Sequence, residues 1–497
     1  MGPVTRRTLE SGVPQLDLVL GGGIPVGDLL LIVGAPGSGK TTLACQMAFH
    51  AAGQGHKVLF VSTLSEPASR LVKHLRTLSF WDESALGRRV FFESIFPIVR
   101  DGIHPLVDAL VDSVQTHQAT LIVLDGFASL RDLHPESREL RTFVNQLAVA
   151  MSALGCTTLV TSSDVPDMRS VSSPPEFTMS DSILELSQSL AGEHQRRTLR
   201  AWKVRGAEPL LGTHTFRISG AGLSVYPRLS TRVPPVEGEL CEARVSWGCE
   251  QLDGLTTGGL PCGSSTIVAG VSGTGKTLLA LQFLTQGAER GQKGLLVSFR
   301  ESARQLVRKA SAFQLDLETP LADGRITISR RLPVDLEVDE VLHEVCSELE
   351  RTGATLLVFD SIAELEHALS SENKRGSLAV FMELLRVRGV TALMVRAVSQ
   401  AVGPELEFAA SPLEVLAENV LLLRNVQLED TLLRVLAVLK MREAAHDASS
   451  RQYMLDGHGF HVLPASGSSA AALRRLAGLP SESRGKSARS SSEREHE

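Results

Sequence analysis

The sequence has 497 residues, a length that at roughly 150 residues per domain suggests about three domains. With 43% hydrophobic and 21% charged residues it can bury large cores, which excludes a wholly disordered chain. A formal charge of -6 and 4% aromatic residues argue against a chain drawn to nucleic acid or anionic membrane, or one that stacks bases.

The opening residues lack the apolar stretch of a secretory signal. In the first half, DLLLIVG, KVLFVS, RVFFES, TLIVLD and TTLVTS are the predicted strands, separated by helical patterns. The uncharged run 142–163 contains Asn145, Gln146 and Gly155, and it predicts helix, turn and strand rather than a membrane span. A soluble, cytoplasmic protein with no membrane contact is expected. The stretch LSTRVPPVEGELCE (229–242) carries two prolines and no periodicity, and reads as a linker. Beyond it STIVAG, GLLVSF, RITIS, TLLVFD and TALMVR repeat the strand–helix alternation. Fully apolar strands between helices predict α/β domains, each a mostly parallel sheet covered by helices on both faces. Near the end AAALRRLAGL suggests a short terminal helix, and after Pro480 no Leu, Ile, Val, Met or aromatic residue follows. A disordered Ser/Arg/Glu-rich tail is expected there. Six cysteines without a CxxC pair are expected to be reduced thiols, neither a disulfide framework nor a zinc site.

The chain also repeats itself. GGGIPVGDLLLIVGAPGSGKTTLACQMAF (21–49) recurs as TGGLPCGSSTIVAGVSGTGKTLLALQFL (257–284), so that Asp17 matches Asp253 and Lys40 matches Lys276. ATLIVLDGFASL matches ATLLVFDSIAEL, pairing Asp125 with Asp360, and WKVRG matches LKMRE, pairing Lys203 with Lys440 and Arg205 with Arg442. An offset this steady over a whole copy means a duplicated domain. Two domains are therefore expected, 1–231 and 243–463, with a linker at 232–242 and the tail at 464–497.

Both copies hold a GxxxxGK[ST] loop between an apolar strand and a helix. In the first, Gly34, Gly37, Ser38, Gly39, Lys40, Thr41 and Thr42 are the candidate nucleotide contacts. In the second they are Gly270, Gly273, Thr274, Gly275, Lys276, Thr277 and Leu278. Glycines let successive backbone N–H groups converge on phosphates at the positive end of a helix. Lys40 and Lys276 would reach the β and γ oxygens, while Thr41 and Thr277 would complete a Mg²⁺ shell. Asp125 and Asp360 each end an apolar strand, LIVLD and LLVFD, and suit the acid that holds Mg²⁺ through water. ATP and Mg²⁺ are the expected cofactors.

These features resemble the KaiC family of tandem RecA-like P-loop ATPases. The entry GGGIPVG, the segments STLSEP and SFRES, and the endings WKVRG and LKMREAAHD carry the resemblance over roughly residues 6–463. It implies two tandem RecA-like domains, a homo-hexameric ring with ATP at subunit interfaces, and slow hydrolysis. It also implies that the Lys and Arg of KxR reach the neighbour's γ-phosphate. Here those are Lys203 and Arg205, then Lys440 and Arg442. His446 and Asp447 follow the family's ending too, although an ordinary surface place suits His446 equally.

The sequence departs from the family at three places. Where the family carries adjacent glutamates, one of which activates water, this chain has Ser65-Glu66 and Arg300-Glu301. Each copy keeps only the second acid, so Glu66 and Glu301 are the candidate bases. Ser65 is a milder neighbour than Arg300, which predicts that lobe one is faster. The Ser and Thr that accept phosphate in clock members align with Glu414 and Val415, with Ser411 out of register. The polar tail also differs from the family's partner-recruiting peptide.

The expected function is an ATP-binding, Mg²⁺-dependent, slowly hydrolysing ring that serves as switch or scaffold for protein partners. A Ser/Thr autokinase of the clock type is one alternative. A DNA-handling ATPase is another, although the loops RDLHPESREL, SSDVPDMRSVSSPPEF and RAVSQAVGPELEF are mixed or acidic in charge.

Overall fold

The computed structural model describes residues 7–63, 68–95, 98, 103–133, 137–163, 175–191, 194–231, 242–334, 336–368, 372–398, 416–428 and 431–464. The chain forms two compact units that divide between residues 233 and 234. Most of the expected linker and nearly all of the expected tail lie outside the described residues.

Lobe one is built on a nine-stranded sheet. Its strands are β1 (Leu29–Val33), β2 (Val58–Ser62), β3 (Val90–Ser94), β4 (Leu121–Asp125), β5 (Thr157–Ser162), β6 (Ser182–Ala191), β7 (His194–Val204), β8 (His214–Ser219) and β9 (Gly222–Tyr226). Their order across the sheet is β9-β8-β7-β6-β1-β5-β4-β2-β3. From β6 to β3 every pairing is parallel, and from β6 outward to β9 every pairing is antiparallel. Lobe two repeats the plan with β10 (Ser265–Gly270), β11 (Gly294–Ser298), β12 (Ile326–Arg330), β13 (Leu356–Asp360), β14 (Thr391–Ala397), β15 (Asn419–Leu428), β16 (Thr431–Met441), β17 (Arg451–Asp456) and β18 (Gly459–Val462). The order β18-β17-β16-β15-β10-β14-β13-β11-β12 has the same topology. All ten strands expected from the apolar runs are present. The antiparallel wing is the part that the alternation of apolar run and helix does not announce.

Why β1 reads as an unbroken apolar run is visible in its packing. Side chains alternate across a strand, and Leu30 and Ile32 enter one core with Leu43 and Met47. Leu29, Leu31 and Val33 enter a second core with Leu140, Phe143 and Leu147 from the helix Ser137–Ala153. Each of these leucines, once buried, contributes about 1.5–3 kcal/mol, so a polar residue on either face would be costly. The uncharged run 142–163 is accordingly helix, turn and strand β5. Among the described residues no helix is long and apolar enough to cross a membrane.

A buried glutamine ties the antiparallel wing to the helix after each phosphate loop. In α1 (Lys40–Gly53), Gln46 Nε2 donates to Leu223 O on β9 at 3.1 Å, and Leu223 N donates to Gln46 Oε1 at 2.7 Å. In α2 (Lys276–Glu289), Gln282 makes the same pair of bonds with Phe460 on β18, at 3.3 and 2.8 Å. Gln46 and Gln282 occupy matched positions of the repeat, so the signal was in the sequence, but a polar residue inside an apolar helix does not name its partner.

Candidate active site

The phosphate loops sit at the carboxyl ends of β1 and β10. Gly34 cannot carry a side chain, because a Cβ there would lie 2.1 Å from Leu186 O on β6. At Gly270 a Cβ would lie 2.5 Å from Leu423 O on β15. The loops then close through Gly39 (φ 104°) and Gly275 (φ 89°), which begin α1 and α2 in the left-handed region that favours glycine. Neither helix has a side-chain cap, so its first-turn N–H groups remain open to an anion along the loop.

In lobe one the structure brings together Lys40, Thr41 and Asp125. Lys40 Nζ donates to Gly34 O at 2.7 Å and to Ala35 O at 3.1 Å, folded back over its own loop. Thr41 Oγ1 donates to both Asp125 oxygens at 3.1 Å. A third partner escapes sequence reasoning: Thr161, on the intervening strand β5, donates to Asp125 Oδ1 at 2.6 Å and accepts from Gly126 N at 3.0 Å. Burial pushes the Asp125 carboxyl above the usual range, outweighing the bonds from Thr161 and Thr41 and the charge of Lys40. Burial likewise lowers Lys40, against the pull of Asp125. Ser65 and Glu66 lie outside the described residues.

Lobe two shows the same triad and more of its surroundings. Lys276 Nζ donates to Val271 O at 2.7 Å, and Thr277 hydrogen-bonds Asp360. Burial raises Asp360 and lowers Lys276, as in lobe one. A cavity of about 380 Å³ opens here, lined by Lys276, Thr277 and Asp360 together with Arg300, Glu301, Lys309 and Leu455. Glu301 enters it in an ion pair with Lys309 at 2.5 Å. Arg300 turns instead to Glu364 at 2.9 Å. Tyr453, also missed by sequence reasoning, donates from its hydroxyl to Thr274 O at 2.7 Å and anchors the loop to β17. The matched residue in lobe one is Phe216, which has no hydroxyl to offer.

The KxR residues stand apart from both triads. Ile183 on β6 pairs with Leu31 on one side and with Lys203 on the other. Gly34 is three residues farther along β1, about 10 Å at roughly 3.3 Å per residue. Lys203 Nζ points farther back still, donating to Ser180 O at 2.7 Å, and Arg205 pairs with Asp181 at 3.0 Å. In lobe two Val420 pairs with Ile267 and Lys440, and Lys440 Nζ donates to Ala417 O at 2.6 Å. The backbone N of Arg442 donates to Glu418 O at 3.2 Å. In both lobes these cations flank the end of the sheet opposite their own phosphate loop. Asp447 pairs with Arg451 at 2.5 Å, a local contact at the close of lobe two.

The donor sets suit Mg²⁺ with a nucleotide. Each offers a hydroxyl and one carboxylate, which are hard oxygen ligands, and leaves the other positions to phosphate and water. Among the described residues there is no cluster of three or more His, Cys, Asp or Glu side chains able to cage a metal alone. Among the described residues no cysteine is in a disulfide: Cys45, Cys156 and Cys249 are buried thiols, and Cys262 and Cys346 are half-buried ones.

Comparison with known proteins gives one consistent result. The family described as "ATPase: KaiC" matches residues 9–230 and again residues 245–467. A circadian clock protein, KaiC3, from Synechocystis sp. is 26% identical over 468 residues, covering 91% of each chain. The circadian clock oscillator protein KaiC of Picosynechococcus sp. is 26% identical over 91% of this chain and 88% of its own. The KaiC of Thermostichus vulcanus is 25% identical, with 92% and 89% covered.

Proposed function

This chain belongs to the KaiC family of ATPases, and from that premise we propose that it is a Mg²⁺-dependent, slowly hydrolysing ATPase that assembles into a ring with ATP at the seams between copies. In the cell it serves as a nucleotide-dependent switch or scaffold for protein partners in the cytoplasm. The observation that carries this is the placement of KxR: Lys203, Arg205, Lys440 and Arg442 flank the sheet end away from their own loops. Cations so placed point away from their own phosphate loop, and supplied to the site of another copy they couple hydrolysis to assembly.

Within one lobe the work divides among few groups. Backbone N–H groups of the loop and the first turn of α1 hold the phosphates, and Lys40 leaves the carbonyls of Gly34 and Ala35 to meet the β and γ oxygens. Thr41 and Asp125 hold the metal, with Thr161 fixing the carboxylate's orientation. Mg²⁺, when bound, would supply positive charge to offset the phosphate oxygens. Glu66 in lobe one and Glu301 in lobe two orient the attacking water. Lys203 and Arg205 exchange their bonds to Ser180 and Asp181 for the neighbour's phosphate.

Size-exclusion runs with ATP, ADP and no nucleotide test the ring, and a monomer under all three conditions overturns it. Phosphate release from Lys40→Ala and Lys276→Ala variants ranks the lobes, with the larger loss expected from Lys40→Ala. The chain lacks clock-type autokinase acceptors at the matched positions, which hold Glu414 and Val415 and lie outside the described residues. A stable phosphosite found by mass spectrometry after incubation with Mg-ATP, and lost in Lys276→Ala, would show autokinase activity instead.

A further inference from the structure

The ion pair inside the lobe-two cavity calls for its own explanation. Glu301 follows β11, and its backbone N donates to Ser298 Oγ at 3.1 Å. Its carboxylate meets Lys309 at 2.5 Å, and the two side chains are only 31% and 36% exposed. Lys309 rides on α3 (Ala303–Ser311), whose start is set by a capping box between Ser302 and Gln305. The helix is anchored by Leu306 and Ala310, both fully buried. With the helix start and its buried face fixed, the ammonium is aimed at Glu301 by the fold. Both charges also act on Asp360, Glu301 raising its carboxyl and Lys309 lowering it. In lobe one Leu71 and Val72 match Leu306 and Val307, which sets His74, an exposed residue on its helix, opposite Lys309. The loop Lys and the strand Asp are complete without this extra cation.

We propose that Lys309 is a positioning residue that latches Glu301 and makes lobe two a site that holds ATP rather than turning it over quickly. The inference rests on the ATPase function proposed above. In hydrolysis a water oxygen attacks the γ-phosphorus, its proton passes to a carboxylate oxygen of Glu301, and the bond to the departing ADP oxygen breaks. The proton then leaves Glu301 for solvent. A carboxylate oxygen already engaged by an ammonium through a charge-assisted hydrogen bond is held toward α3 and is not free to take the hydrogen bond of the attacking water. The paired turn of Arg300 to Glu364 keeps the neighbouring cation from competing for Glu301.

The test uses the full chain carrying Lys40→Ala, so that lobe two is measured alone, with phosphate release at saturating Mg-ATP. Lys309→Met is expected to raise kcat about tenfold, within the range that a freed general base contributes, with KM for ATP rising less than kcat. Lys309→Gln, which keeps a polar side chain at the same place, repeats the gain. Lys309→Arg retains the pair and the slow rate. Glu301→Gln combined with Lys309→Met loses the gain. Equal or lower kcat in both Lys309→Met and Lys309→Gln, with fluorescent-nucleotide binding intact, overturns the latch. Nucleotide binding lost in those two but kept in Lys309→Arg assigns Lys309 to the phosphates and overturns it as well. Failure of the ATPase function itself is separate: the unmodified chain then releases no phosphate.

Discussion

The strongest prediction concerns sharing of the site between copies, and it can be made quantitative. Lys203 pairs with Ile183, which pairs in turn with Leu31, three residues short of Gly34 along β1, and Lys203 and Arg205 turn their side chains to Ser180 and Asp181. That is a displacement of about 10 Å at the backbone, and the side chains add to it. Arginines supplied in trans to a transferring phosphoryl contribute roughly 10³–10⁵ in rate, so Arg205→Ala alone is expected to abolish measurable lobe-one hydrolysis. Lys40→Ala abolishes it from the other side of the seam. Mixing the two dead proteins lets a site form where an Arg205→Ala chain supplies Lys40 and its neighbour, a Lys40→Ala chain, supplies Arg205. With equal amounts and random assembly, about a quarter of the seams in a cyclic ring are of this kind. Phosphate release should recover to about a quarter of the lobe-one rate, measured on a Lys276→Ala background after co-refolding or subunit exchange. No recovery, with mixed rings shown by size and mass, would refute the placement of these cations in trans.

Other predictions address stability and chemistry. Replacing Gln46 by Leu strips buried partners from Leu223 N and O, which costs about 2–4 kcal/mol. Thermal melts should fall by roughly 5–12 °C for a lobe of this size. Gln282→Leu should do the same through Phe460, and two unchanged melts would dismiss the clamp. The folded Asp125 carboxyl binds its proton more tightly than the unfolded chain does, so ionisation at neutral pH lowers stability. That loss disappears as pH falls through the raised value. Asp125→Asn should therefore raise the nucleotide-free melting temperature at pH 7, by an amount that shrinks as pH falls, while Mg-ATP binding in lobe one is lost. A lower melt at pH 7 would count against burial as the dominant cause. Burial pushes the Cys45 thiol up well above its ordinary value, with the Asp125 charge adding to it, and pushes Cys156 up to about 12. Neither should be alkylated by iodoacetamide at pH 8 until the chain is unfolded.

Much of this protein is legible in one dimension. The duplication, the phosphate loops, the strand-ending acids and the apolar parallel strands are local patterns, because each depends on residues a few positions apart or on a fixed repeat offset. Gly34, for example, announces itself by motif, although the reason for it is a neighbouring backbone, Leu186 O, more than 150 positions along the chain. What the sequence could not determine is which groups meet across the sheet. Thr161 reaches Asp125 only because β5 lies between β1 and β4, and Gln46 finds Leu223 only because β9 folds back over α1. Lys309 reads as one more cation on an amphipathic helix until a fixed helix start and a buried face turn it toward Glu301. The direction of KxR is likewise a matter of strand register: counting residues cannot say at which end of the sheet a cation stands, whereas the pairing of Ile183 with Leu31 and Lys203 can. Local pattern thus determined the chemistry available to the chain. Register and packing, which join residues far apart along it, decided where that chemistry is placed.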